Sequence, residues 1–137
     1  MGIRVAAAMD ETAVVALWRS CELIVSYNDP GSDFRDAVSS PCSDVLVLED
    51  QSHGIVGTVL VGYDGHRGWL YYVAASPVLQ GIGIGRRMVE AAEEWLRDRG
   101  VAKAQLLIRE TNTKVIGFYE HLGFECAPRV VMGKWLR

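Results

Sequence analysis

Trp69-Leu70-Tyr71-Tyr72-Val73-Ala74-Ala75-Ser76-Pro77-Val78-Leu79-Gln80-Gly81-Ile82-Gly83-Ile84-Gly85-Arg86-Arg87-Met88 is the stretch on which the reading of the fold turns. Residues 69–74 include Trp69, Tyr71, Tyr72 and the β-branched Val73, which predicts a strand. Residues 77–85 read as a loop broken by three glycines. From there Ile84, Met88, Ala92, Trp95 and Leu96 recur at helical spacing. Arg87, Glu90, Glu94, Arg97 and Asp98 take the opposite face. Gly100 stands where a helix C-terminal glycine belongs, and residues 104–108 predict the next strand. A strand, helix and strand in that order force one parallel pair, joined by a right-handed crossover.

Working back from this stretch, residues 45–48, 55–63 and 69–74 form three strand candidates in a row. The turns 50–54 and 64–68 between them predict an antiparallel meander. Earlier still, residues 3–7 predict a first strand. Asp10 then reads as an N-cap with Glu11 in the first turn, and Val14, Leu17, Trp18, Cys21 and Val25 follow on one helical face. Asn28-Asp29-Pro30-Gly31 is a turn signal, and a short second helix is predicted over 34–39, before Pro41. Downstream, Asn112 or Thr113 caps a helix through Leu122, Gly123 ends it with Phe124 folding back, and residues 130–136 predict a last strand. The order β-α-α-β-β-β-α-β-α-β predicts a mixed α+β fold with a mostly antiparallel sheet, not a doubly wound one.

With 137 residues, half of them hydrophobic, the chain is expected to form a single domain, 1–137, with a genuine core. A net charge of −3 argues against a general nucleic-acid binder. Cys21, Cys42 and Cys126 lack C-x-x-C spacing, so free thiols and no metal site are expected. The N-terminus shows no signal-peptide core, and Ala6 breaks the myristoylation pattern. The apolar runs fall well short of the ~20 residues a membrane helix needs. These features predict a cytoplasmic domain without a membrane partner, monomeric or homodimeric.

A strand running into glycines and then a helix suits phosphate binding. Gly81, Gly83 and Gly85 let the backbone approach closely, and the helix N-terminus favours an anion. Arg86 and Arg87 add charge at the rim. Two phosphate motifs fail. A Walker loop requires Gly-Lys-Ser/Thr where Gly85-Arg86-Arg87 stands, and a dinucleotide fingerprint starting at Gly81 requires glycine where Arg86 stands. On local evidence a plain tight loop entering a helix remains open, as does a different nucleotide.

Gln80-Gly81-Ile82-Gly83-Ile84-Gly85 fits the Q/R-x-x-G-x-G/A signature of the GNAT superfamily of N-acetyltransferases. Val73-Ala74-Ala75-Ser76-Pro77 resembles the end of that family's fourth strand. Asn112 followed by Gly117-Phe118-Tyr119-Glu120-His121-Leu122-Gly123-Phe124 resembles its last motif. The likeness runs along the whole chain in order, and small stand-alone bacterial members are the most similar.

The resemblance implies a sheet whose fourth strand carries a bulge and splays from the fifth, and acetyl-CoA as acetyl donor. It assigns donor-binding roles to Val73, Ala74 and Ala75 on that strand, with the Val73 N–H facing the oxyanion of the tetrahedral intermediate. Gln80, Gly81, Ile82, Gly83, Ile84, Gly85 and Arg86 are implied at the pyrophosphate. Asn112 is implied on the pantetheine arm, with a helix-cap role open beside it. Tyr119 matches the family's general acid: a phenol titrating near ~10 can protonate a departing thiolate, whose thiol titrates near ~8.5. Core filling by Tyr119 is the alternative.

Residues 69–74 lack the carboxylate that often serves as base, leaving Glu22, Asp29, Asp33, Asp64 and His66 as candidates. Acceptor specificity is expected in the first helix, the Asn28-Asp29-Pro30 loop and Tyr63, Trp69, Tyr71 and Tyr72. Strict alternation puts Trp69 and Tyr71 on one face and Tyr72 on the other. The implied activity is acetyl transfer to a primary amine, on a small molecule or a protein, by direct attack in a ternary complex. A non-catalytic acyl-CoA sensor is the other reading.

Overall fold

Five strands form the sheet, in a computed structural model that describes residues 1–137; Val, Ile, Leu and Thr supply most of the third strand, and aromatic residues mark the fourth. The strands are β1 (Gly2–Val5), β2 (Ser43–Asp50), β3 (Gly54–Tyr63), β4 (Gly68–Ala75) and β5 (Ala104–Gln105). Their spatial order equals their chain order. The first three pairings are antiparallel and β4 with β5 is parallel. The mixed, mostly antiparallel α+β fold expected from the sequence is the one observed.

Four helices accompany the sheet: α1 (Glu11–Ser20), α2 (Pro30–Ser39), α3 (Ile84–Arg97) and α4 (Thr113–His121). None is long and apolar enough to cross a membrane. The sheet and the first three helices lie in one compact unit, Met1–Leu106. Residues Leu107–Arg137, with α4, form a second.

Val14, Leu17 and Trp18 of α1 and Phe34 and Ala37 of α2 pack with Val45, Val47 and Ala74 of the sheet. On α3 the apolar stripe Ile84, Met88, Val89, Ala92, Trp95 and Leu96 is buried. Each large apolar side chain fully buried this way contributes roughly 1.5–3 kcal/mol. Glycines set the seat of α3. A Cβ on Gly57 of β3 would lie 2.7 Å from Ile84, and one on Gly68 of β4 would lie 2.5 Å from Leu96. The helix therefore sits closer to the strands than any side chain at those positions would allow.

Four expectations are corrected. Asp10 occupies the position before α1, yet its carboxylate turns back: it accepts from the Ala7 N–H at 2.8 Å and from Arg4 at 2.8 and 3.0 Å. The Arg4 guanidinium holds that carboxyl below the usual carboxylate range. Helix α2 begins at Pro30 rather than Phe34, because Asp29 accepts the Ser32 N–H and proline suits the first turn. Residues 130–136 form no strand, and the predicted strand 104–108 shrinks to Ala104–Gln105.

Candidate active site

Strand β4 carries the main irregularity of the sheet. Thr58 pairs with Ala74 and Leu60 with Tyr71, so Val59 alone faces both Tyr72 and Val73. One extra residue on β4 makes a bulge, and Tyr72 takes φ +51° there, a left-handed conformation rare outside glycine. Four contacts hold it. The Tyr72 ring stacks on Trp18 with centroids 3.8 Å apart. Trp18 Nε1 donates to Thr58 Oγ1 at 2.9 Å, the Thr58 hydroxyl donates to the Tyr72 carbonyl at 2.9 Å, and the Tyr72 hydroxyl donates to Asp33 Oδ2 at 2.7 Å. Burial and the neighbouring Asp33 carboxylate push the Tyr72 phenol well above its ordinary range.

The bulge breaks the alternation expected of residues 69–74. Tyr71 and Tyr72, expected on opposite faces, both line one cavity of about 620 Å³, together with Asp33 and Asp36 of α2. Trp69 is not among its lining residues; its indole donates to Asp64 Oδ2 at 3.0 Å instead.

Past the bulge β4 is open on one side. Strand β5 pairs only with Gly68 and Trp69, so residues 70–75 have no β5 partner along that edge. Val73 and Ala75 are half-buried there and Ala74 points into the core. At the end of the strand the Cys21 thiol donates to the Ala75 carbonyl at 3.2 Å.

The chain then makes a short 3-10 turn, Pro77–Leu79, and enters the glycine loop. Gly81 and Gly83 have φ +82° and +79°, with nothing within 4 Å of where a Cβ would stand. A side chain there is opposed by backbone conformation alone. Gly83 is the residue before α3, and the first helical bond runs from the Arg87 N–H to the Gly83 carbonyl. The amides of Ile84, Gly85 and Arg86 are therefore free of helix partners, as at any helix N-terminus. Ile84 anchors the loop in the core while Gln80, Gly81, Ile82 and Gly83 are exposed. Arg86 ion-pairs with Glu90 at 3.3 Å, and Arg87 stays exposed. None of these residues lines the cavity beside α2.

In the second unit Asn112 caps α4, its side chain accepting the Val115 N–H at 3.3 Å. Tyr119 is 7% exposed, with its ring edge-on to Phe118 and Phe124. Burial pushes its phenol up to about 12.

The candidate bases separate by their contacts. Asp64 is committed to its turn, accepting from the His66 and Arg67 amides and the Trp69 indole, which together hold its carboxyl at about 2. Asp29 is the α2 cap. Glu22 sits exposed at φ +58° just past α1, and His66 is exposed in a turn. Of the five, Asp33 alone lines the cavity. Sequence reasoning missed Thr58 and its link between Trp18 and Tyr72. Its signal was a lone hydroxyl residue inside the apolar run of β3.

Comparison with known proteins identifies the family. The acetyltransferase (GNAT) family model matches residues 12–124. Acetyltransferase ECA0875 of Pectobacterium atrosepticum is 38% identical over 136 residues, covering 99% of this chain and 96% of its own. Among solved structures, AAC(6')-Iy in complex with the bisubstrate analogue CoA-S-monomethyl-acetylneamine superposes with a TM-score of 0.82 at 15% identity. That match covers 98% of this chain and 97% of the other. A Clostridium acetobutylicum protein solved with acetyl-CoA and described as a predicted acetyltransferase gives a TM-score of 0.77 at 16% identity, over 97% and 95% of the two chains. Both structural matches speak to the fold. The family match and the near full-length relative establish that this chain belongs to the GNAT family of acetyltransferases.

Proposed function

We propose that this acetyltransferase takes its acetyl group from acetyl-CoA and transfers it to a primary amine by direct attack in a ternary complex. The observation that carries this reading is a β4 edge left unpaired past its bulge and followed at once by the glycine loop of α3. An extended amide-containing arm can add to such an edge like a strand. The left-handed Gly81 and Gly83 and the free amides through Arg86 make a concave set of donors for a pyrophosphate. Each N–H to a charged oxygen contributes roughly 1.5–3 kcal/mol. The donor supplies a thioester carbonyl for attack and a thiolate leaving group.

Within this reading Val73 and Ala75 hold the arm through their backbones, and the Val73 N–H faces the developing oxyanion. Gln80 to Arg86 surround the pyrophosphate. Asn112 lends its carboxamide to the arm in addition to capping α4. Tyr119 keeps its proton at neutral pH, in line with its raised pKa, and shares it as charge develops on the departing sulfur; the family resemblance supports that role. The amine must arrive neutral, and its surplus proton leaves to solvent or a carboxylate.

Thiol release from acetyl-CoA, measured across a panel of primary amines, tests the proposal. Amine-dependent release with N-acetylated product is expected, together with thermal stabilisation by CoA but not by ATP. Stabilisation by ATP alone, with no release, would overturn it.

A further inference from the structure

The cavity between α2 and β4 has a composition that selects among amines. Its only charged lining residues are Asp33 and Asp36, and no cation faces them. Arg35, between them in sequence, turns to Glu11 at 2.8 Å instead. Asp33 and Asp36 stand three residues apart, so they project from one face of α2 about 5–6 Å apart at Cβ. Asp33 is half-buried and already accepts the Tyr72 hydroxyl through Oδ2. Its Oδ1 makes no bond, and neither does the exposed Asp36 carboxylate. The bulge sets Tyr71 and Tyr72 together on the cavity wall, and a phenol ring attracts a cation to its face. Tyr72 immediately precedes Val73, so the wall of the cavity runs into the open edge of β4.

Building on the donor reading above, we infer that this cavity is the acceptor pocket and that it selects a compact dication, with one ammonium on Asp36 and the reacting amine beside Asp33 and Tyr72. A volume of about 620 Å³ suits a small molecule. An acceptor bearing its own carboxylate or phosphate would meet two uncompensated negative charges. A linear diamine and a small diamino sugar share the required chemistry. The reacting ammonium first gives up one proton to solvent, its lone pair forms the C–N bond as the C–S bond breaks, the amide nitrogen then sheds its second proton, and the departing thiolate takes up a proton to leave as the thiol.

The test uses the full chain, acetyl-CoA and four acceptors: 1,4-diaminobutane, a diamino sugar (2-deoxystreptamine), butylamine and a short peptide with a free N-terminus. One or both dications should exceed butylamine at least tenfold in kcat/KM, and comparing the two tells linear from cyclic. Asp36→Asn should raise the KM of the preferred dication about fivefold, a modest effect because the carboxylate is exposed, and Asp36→Glu should restore it. Added salt should weaken the dication more than butylamine. Equal use of butylamine, or preference for the peptide, with Asp36→Asn silent, overturns the dication pocket and leaves the donor reading standing. Failure of acetyl-CoA to bind in calorimetry overturns the donor reading instead. In that case, titration of the chain with 1,4-diaminobutane, wild type against Asp36→Asn, still decides the pocket: saturable binding weakened by the substitution supports it, and no binding overturns it.

Discussion

As the proposed general acid, Tyr119 has to keep its proton at neutral pH. Its phenol is buried with Phe118 and Phe124 edge-on, and burial raises it from its ordinary range near ~10 to about 12. Tyr119→Phe should lower kcat roughly 10²-fold while acetyl-CoA affinity holds; unchanged turnover would remove it from the mechanism. The same shift has a stability consequence. The folded state keeps a proton that the unfolded chain loses, so this contribution is intact below pH ~10 and disappears as pH rises towards about 12. Tyr119→Phe has no phenol to ionise, so the wild-type denaturant midpoint should fall relative to that of Tyr119→Phe as pH rises across that range. The burial of Tyr119 was legible as the core-filling alternative read for it; the placement of Tyr72 was not legible. A single extra residue in β4 reverses the side to which Tyr72 points, and nothing local in Tyr71-Tyr72-Val73 marks the insertion. Its left-handed φ costs roughly 1–2 kcal/mol. The stack on Trp18 and the bonds through Thr58 and Asp33 offset that cost, and all are distant in sequence.

At the scale of elements, α3 was the most readable feature, because its apolar stripe repeats over fourteen residues and glycines stand at both ends. What the sequence did not reveal is how closely the helix lies against β3 and β4. Gly57 and Gly68 read as ordinary interruptions of their strands, yet each removes a Cβ that would collide with α3. Gly57→Ala should destabilise the chain by roughly 1–3 kcal/mol, the range for overpacking a well-filled core. A urea midpoint unchanged from wild type would show that Ile84 and Met88 yield freely. The run 130–136 shows the converse failure. Apolar composition identifies residues able to enter a sheet, whereas entering one requires a paired edge that the run itself does not encode. Val130, Met132 and Leu136 are accordingly exposed.

At the scale of the molecule, the unit Met1–Leu106 holds the whole sheet, the bulge, the glycine loop and the cavity. The second unit holds Asn112 and Tyr119. The antiparallel meander, the one parallel pair and the α+β class followed from the order of periodic segments, because short connections leave few topologies open. A donor stretch at residues 73–75 and 80–86, apart from acceptor-side residues 28–30, 71 and 72, was already expected from the sequence; the structure adds the unpaired β4 edge, the bulge and the carboxylates that line the cavity. The central claim is that the unpaired β4 edge and the glycine loop receive the acetyl donor. Backbone amide shifts of the isotope-labelled chain titrated with CoA test it most directly. The largest changes should fall on Val73, Ala75 and Gly81 through Arg86, with saturation at a single affinity. Saturable CoA binding that leaves those amides unmoved and shifts others would contradict it.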